Sequence, residues 1–200
     1  MYKDLPLAAR MYLQIRVRNY PKSMWTHMSD LEGTIVSVGA GYALLEGIVA
    51  LRNPRASVTA SDVNRSRIDI ARTALARIPN LSLDVVDLRR GLSTEQADGF
   101  LLIDVLHHLT PDVQEEVLGV AARSIRSGGR VLIKECGTRP AWKKWVNYLN
   151  DAIGSPFQRT YPRDESEWAK LLSALGLICE TIRLDRGSPY AHILIEGRKR

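Results

Sequence analysis

The sequence predicts an α/β protein: a doubly wound sheet of about seven strands, mostly parallel, with an antiparallel last strand and an N-terminal helical arm. Three observations predict it. From Gly33 to Cys136, short Val/Ile/Leu-rich runs alternate with single helical segments, the rhythm of βαβ units. The near-continuous apolar character of those runs fits strands buried on both faces. After Cys136 the rhythm changes, and the last two runs follow one another without a helix between them, which suggests an antiparallel pair.

The elements follow in order. Leu5 to Arg18 carries apolar residues near helical spacing, with Arg10, Arg16 and Arg18 interleaved; Pro21 breaks it, and a second short helix is expected over Ser23 to Leu31. The arm packs on the domain in one reading and docks a lipid-like substrate in the other. "TIVSV" is the first strand, and "GYALLEGIVAL" is a helix stopped near Asn53-Pro54. "SVTASD" is the second strand, followed by a helix from Asn64, which can cap it. "LSLDVVD" and "FLLID" are the third and fourth strands. Thr110-Pro111-Asp112 opens the next helix, and Ser127-Gly128-Gly129 is expected to end it before the fifth strand, "RVLIKEC". A longer connection, helical over Ala141 to Ile153, leads to the amphipathic helix "DESEWAKLLSALG", which stops at Gly176. "LICETIRLD" and "YAHILIEGRK" close the sheet. Two hundred residues support one sizeable domain: an arm over residues 1–32, a core over 33–136, an insertion over 137–163, and a C-terminal helix and strand pair over 164–200.

Apolar content of 45% and charged content of 25% are those of a soluble globular protein. No apolar run reaches the roughly 20 residues of a membrane span, and the N-terminus has no secretory core, so a cytoplasmic location is expected. The net charge of +6 favours anionic partners: a nucleotide, an acidic metabolite, RNA or an anionic lipid surface. Cys136 and Cys179 have neither CxxC nor Cys/His spacing and read as buried, reduced thiols.

The stretch "VGAGYA" puts two glycines directly after the first strand, where backbone N–H groups can approach a ligand closely. Dinucleotide binding by G-x-G-x-x-G requires a small residue at position 44, which is Leu44, and no G-x-x-x-x-G-K-[ST] loop is present. G-x-G-x-G places the third small residue at Ala43, a pattern suited to a nucleoside joined to an amino acid. Asp62 ends the second strand, where an acid can accept both ribose hydroxyls; Asp87 ends the third and Asp104 the fourth.

With those residues the chain resembles the class I S-adenosylmethionine-dependent methyltransferases, which share a Rossmann-like sheet. The resemblance runs from Gly33 to Arg198 and rests on "VSVGAGYA", "ASD", "VVDL", "LLIDVLHHLTPD" and "SIRSGGRVLIKEC"; "DVLHHL" is similar to the ubiquinone/menaquinone-type small-molecule branch. It implies S-adenosylmethionine as cofactor and S-adenosylhomocysteine as product. It also implies that Val38, Gly39, Ala40 and Gly41 border the amino-acid part, that Asp62 and Val63 border the ribose, that Asp87 and Leu88 border the adenine, and that Asp104 and Val105 open toward substrate. The strand residue two before the first glycine is usually acidic in that family; here it is Ser37, and Glu46 is a candidate replacement.

Methyl transfer from a sulfonium needs alignment, and a general base when the acceptor is a hydroxyl. His107 and His108, after the fourth strand, are the candidate catalytic bases. His192 and Glu135 are further candidates for the pocket, and Lys134 should face away from Glu135. Trp142, Trp145, Tyr148 and Phe157, with Lys143, Lys144 and Arg159, make the insertion a candidate cover for an apolar or anionic acceptor. No metal is assigned. "DVLH" lacks the [DN]-P-P-[YF] turn of amino methylation on bases, so nucleic acid is disfavoured. The reading is methyl transfer to a small or lipid-like acceptor, with peripheral membrane contact open. The rivals are a silent methyltransferase-like binding protein, motivated by Ser37, a basic RNA methyltransferase, and a nicotinamide reductase, against which Leu44 argues.

Overall fold

A computed structural model of the chain describes residues 20–87, 96–140, 159–186 and 189–200, together with residues 10, 11, 13, 14, 17, 18, 142, 143, 145 and 146. Seven strands form one sheet in the order β3-β2-β1-β4-β5-β7-β6. They are β1 (Gly33–Val38), β2 (Ala56–Asp62), β3 (Leu81–Val85), β4 (Ala97–Ile103), β5 (Ile125–Cys136), β6 (Leu177–Arg183) and β7 (His192–Lys199). Helices α1 (Leu44–Arg52), α2 (Arg65–Leu75), α3 (Pro111–Ser124) and α4 (Glu165–Ala174) accompany them among the described residues. Contacts divide the chain into two compact units, Met1–Leu101 and Leu102–Arg200.

In the first unit β1 and β2 run parallel from Gly33 opposite Ala56 to Val38 opposite Ser61, and β2 pairs parallel with β3 from Val58–Leu81 to Asp62–Val85. α1 packs on β2, and α2 on β3 and β2. Ile35, Val38, Val58 and Ala60 are buried, whereas the outermost strand β3 alternates half-buried and exposed residues. The expectation of burial on both faces therefore holds for the inner strands and not at this edge. Asn64 caps α2 as its side chain accepts from the Arg67 N–H at 3.1 Å.

The described part of the arm packs on this unit. Leu13, Met24, Met28 and Leu31 are buried, and the short helix expected over Ser23 to Leu31 is a 3-10 helix, Lys22–His27. The Asn53 side chain donates to the Met28 carbonyl at 3.1 Å, and the Arg52 guanidinium lies 5.1 Å from the Trp25 ring centre.

In the second unit β7 pairs antiparallel with both neighbours, β5 from Arg130–Arg198 to Cys136–His192 and β6 from Leu177–Lys199 to Arg183–Ile193. The antiparallel closing strand is as the sequence predicts. One boundary differs: α3 ends at Ser124 and the chain is extended from Ile125, so Ser127-Gly128-Gly129 lies inside the β5 segment and does not terminate the helix. Pairing with β7 begins only at Arg130, where the apolar run begins. α4 opens on a capping box, with the Asp164 carboxylate accepting from the Ser166 and Glu167 amides and Glu167 accepting from the Asp164 amide. Trp168 and Leu172, one turn apart, are its buried stripe. Of the insertion, Trp142, Lys143, Trp145 and Val146 are helical; Tyr148 and Phe157 lie outside the described residues.

Candidate active site

The glycine turn is built by backbone that side-chain-bearing residues adopt poorly. Gly39 has φ +71° and Gly41 φ +59°. A Cβ added at Gly41 would meet nothing within 4 Å, so this backbone faces open space. Ala43, also left-handed at φ 49°, ends the turn and starts α1. The Ala40 amide donates to the Ser61 carbonyl at 2.9 Å, which seats the turn on the end of β2. Asp62 is 8% exposed, and each carboxylate oxygen takes one amide: Oδ2 from Gly41 at 2.7 Å and Oδ1 from Asn64 at 2.8 Å. A carboxylate oxygen has two acceptor directions, so both oxygens retain capacity for a ligand hydroxyl. The Arg67 guanidinium lies 5.7 Å from the ring centre of Tyr42, within the turn. Of the remaining residues expected here, Val38 is buried, Val63 is exposed, and Asp87 is half-buried two residues beyond β3; Leu88 lies outside the described residues.

Ser37, at the usually acidic position, is 1% exposed and donates its hydroxyl to Glu46 Oε1 at 2.7 Å. Glu46 itself is 2% exposed. A carboxylate is thus present beside the strand residue, supplied by α1.

The second unit holds a second cluster. Asp104 follows β4 in a left-handed conformation, φ 51°, which aspartate tolerates better than most residues. Its amide donates to the Lys134 carbonyl at 2.8 Å, and its carboxylate is ion-paired with the buried Lys134 ammonium. Val105, half-buried, then leads into the 3-10 turn Leu106–His108. The Leu106 amide donates to Glu135 Oε1 at 2.8 Å, and His107 Nδ1 is hydrogen-bonded to Glu135 Oε2. Successive residues of β5 therefore hold the turn at two points, Lys134 at Asp104 and Glu135 at His107.

Both His107 and Glu135 are almost fully buried. With Glu135 as the acceptor in this bond, a neutral His107 carries its proton on Nδ1 and its lone pair on Nε2. His108 is half-buried, its ring centre 4.0 Å from that of His107. His192 is buried at the start of β7, opposite Cys136. Neither Cys136 nor Cys179 is in a disulfide, and both are half-buried, less enclosed than expected.

The sequence reading did not single out Gln114 or Arg163. Gln114 is fully buried in α3; its amide nitrogen donates to the carbonyls of Leu106 at 2.9 Å, Leu109 at 3.1 Å and Tyr161 at 2.9 Å. Arg163 Nε donates to its oxygen at 2.7 Å. The available signal was a polar residue on the stripe that continues as Val117, Leu118 and Ala121.

The fold is one found among solved structures of S-adenosylmethionine-dependent methyltransferases. Residues 36–131, just under half the chain, match the model of a methyltransferase domain. Among solved structures the chain is similar to an O-methyltransferase family protein from Burkholderia thailandensis (20% identity, TM-score 0.72, covering 89% of this chain and 55% of that one). It is also similar to the pyocyanin biosynthetic protein PhzM (20%, 0.77, covering 100% and 60%) and to human N-acetylserotonin methyltransferase in complex with SAM (17%, 0.68, covering 86% and 48%). The chain spans a little over half the length of the first of these. No curated protein matches it. Residues 36–131 are thus similar in sequence to a methyltransferase domain, and the fold is one that solved methyltransferases share.

Proposed function

We propose that the protein methylates a hydroxyl group of a small organic molecule, with His107 as general base and Glu135 as the group that orients it. The observation that carries this reading is the His107 Nδ1–Glu135 bond, because it directs the basic lone pair of the imidazole to Nε2. An amine or thiol acceptor seldom needs such a base, whereas a hydroxyl does. The names of the O-methyltransferase from Burkholderia and of mitomycin 7-O-methyltransferase, another protein of similar fold, lend the same direction support.

The residues of the first unit fit the cofactor. An open glycine backbone, a carboxylate with spare acceptor capacity on both oxygens, and the buried Glu46 suit an amino acid joined to a nucleoside. In this reading the Gly39–Gly41 backbone borders the amino-acid part, Asp62 accepts the ribose hydroxyls, and Glu46 stands in for the acid missing at Ser37. Bound, the cofactor supplies an electrophilic methyl group on a sulfonium. Asp104 and Val105 are assigned to the acceptor side, and Asp87 to the adenine. Ser37, the ground for the silent binding protein, loses force because its hydroxyl engages a carboxylate. A cytoplasmic location belongs to the same reading, supported by two cysteines outside any disulfide. Among the described residues no helix is long and apolar enough to cross a membrane.

The test is formation of S-adenosylhomocysteine from S-adenosylmethionine over a panel of phenols and hydroxylated heterocycles, with H107N and E135Q beside the unaltered protein. H107N is expected to lose about 10²–10⁴-fold in rate, the usual contribution of a general base, while its affinity for S-adenosylhomocysteine stays within about twofold, well under the 1.4 kcal/mol of a tenfold change. Turnover by H107N at the unaltered rate would overturn the assignment.

A further inference from the structure

We propose that Gln114 is a positioning residue for His107, with its amide orientation locked by Arg163. The proposal rests on the reading of His107 as base.

The chemistry of the amide fixes which way it points. Arginine has donors and no acceptor, so the Gln114 atom that meets Arg163 Nε at 2.7 Å is the oxygen. The NH2 group then faces the opposite way, where three backbone carbonyls converge on it. Two of those, Leu106 and Leu109, bracket the turn that carries His107. The third belongs to Tyr161, whose own amide donates to the His107 carbonyl at 2.7 Å. One fully buried side chain thus ties the start and end of the His107 turn to the segment ending the insertion, and that segment is bonded to His107 itself.

Arg163 is held in turn. Its guanidinium donates to Glu115 at 2.9 Å and to the Pro111 carbonyl at 3.3 Å, and it lies 5.8 Å from the Trp168 ring centre. Without this donor the amide could rotate by half a turn, and its oxygen would face three carbonyl oxygens. Glu135 sets the His107 ring from one side; Gln114 sets the backbone from which that ring hangs. Nothing in an apolar core position of α3 requires a polar residue, and burying an amide is costly unless all its groups are satisfied. Here they are, and all but one of its partners lie in the His107 turn or the segment bonded to it.

The test reads the His107 ring directly. The chain has four histidines, so ring-nitrogen correlation spectra of histidine-labelled protein resolve each one. In the unaltered protein His107 is expected to show two well-separated ring-nitrogen signals, those of a single Nδ1–H tautomer. In Q114E, of equal size but with acceptors where donors are needed, and in Q114M, that separation is expected to collapse toward tautomer averaging. R163M removes only the lock, at a partly exposed position, and is expected to shift the same signals in the same direction. It keeps the test open if both Gln114 variants fail to fold. Folded R163M with His107 signals identical to those of the unaltered protein would overturn the proposal; so would Gln114 variants that melt earlier with the His107 tautomer intact. The outcome is separable from that of H107N turnover, because the spectra report position whether or not His107 is the base.

Discussion

Asp62 is where a single side chain does most for the cofactor site. It receives the Gly41 and Asn64 amides, so it shapes the turn before any ligand arrives. Asp62→Ala strands both amides and, in the proposed reading, removes the acceptor for two ribose hydroxyls. Because hydrogen bonds to a charged group contribute about 1.5–3 kcal/mol each, S-adenosylhomocysteine affinity is expected to fall by more than about tenfold. Titration calorimetry checks this, and unchanged affinity would move the site elsewhere. Glu46 gives a finer test. In E46Q the side-chain oxygen can still accept from Ser37, so the packing survives and only the charge is lost. A cofactor whose ammonium group lies near that charge should bind about tenfold more weakly, the equivalent of one charge-assisted bond; equal binding of E46Q and the unaltered protein would remove Glu46 from the site.

At the scale of the elements, α4 and the insertion helix are each fixed by one aspartate. The capping box of α4 makes Asp164→Ala cost about 1 kcal/mol, which for a chain of this size lowers Tm by roughly 2–4 °C; thermal melts read this directly. Asp185, just beyond β6, holds Lys143 of the insertion at 2.8 Å. The hydrogen bond from Lys143, aided by the charges of Lys143 and Arg183 and opposed by burial, keeps its pKa below the ordinary value of 3.8. A folded pKa below the unfolded one means stability present above the unfolded value and lost as pH falls through the folded value. The Tm advantage of the unaltered protein over D185N should therefore hold at pH 5 to 7 and narrow below about pH 4, near the aspartate reference value; a gap constant down to pH 3 would show that the pair contributes nothing. These elements also show what was readable. The helix that stops at Gly176 and the strand pair after it are local patterns, and they stand where the sequence put them. The start of β5 was not readable, because Ser127-Gly128-Gly129 carries a break signal yet lies within the strand bounds, with Gly128 at φ 78° and the pairing with β7 beginning at Arg130.

For the molecule as a whole, legibility divides by sequence distance. The glycine turn and Asp62 announce themselves because the turn requires glycine and strand ends in a parallel sheet gather at one edge. The partners of His107 and Asp104 lie 28 and 30 residues away, and Arg163 lies 49 from Gln114. No local pattern encodes such pairs; only the folded sheet brings them together. The folded chain as a whole should therefore respond to the ligand its local pattern announces. A ligand that binds only the native state stabilises it by about 2.7 kcal/mol at one hundred times its Kd. At roughly 2–4 °C per kcal/mol for a chain of this size, S-adenosylhomocysteine at that excess should raise Tm by about 5–11 °C. NADH at equal concentration should leave Tm unchanged, since Leu44 stands where a pyrophosphate-binding turn needs a small residue. The D62A protein should lose most of the shift while keeping a cooperative melt. A shift with NADH and none with S-adenosylhomocysteine would reverse the choice between sulfonium donor and dinucleotide, and with it the reading of the glycine turn.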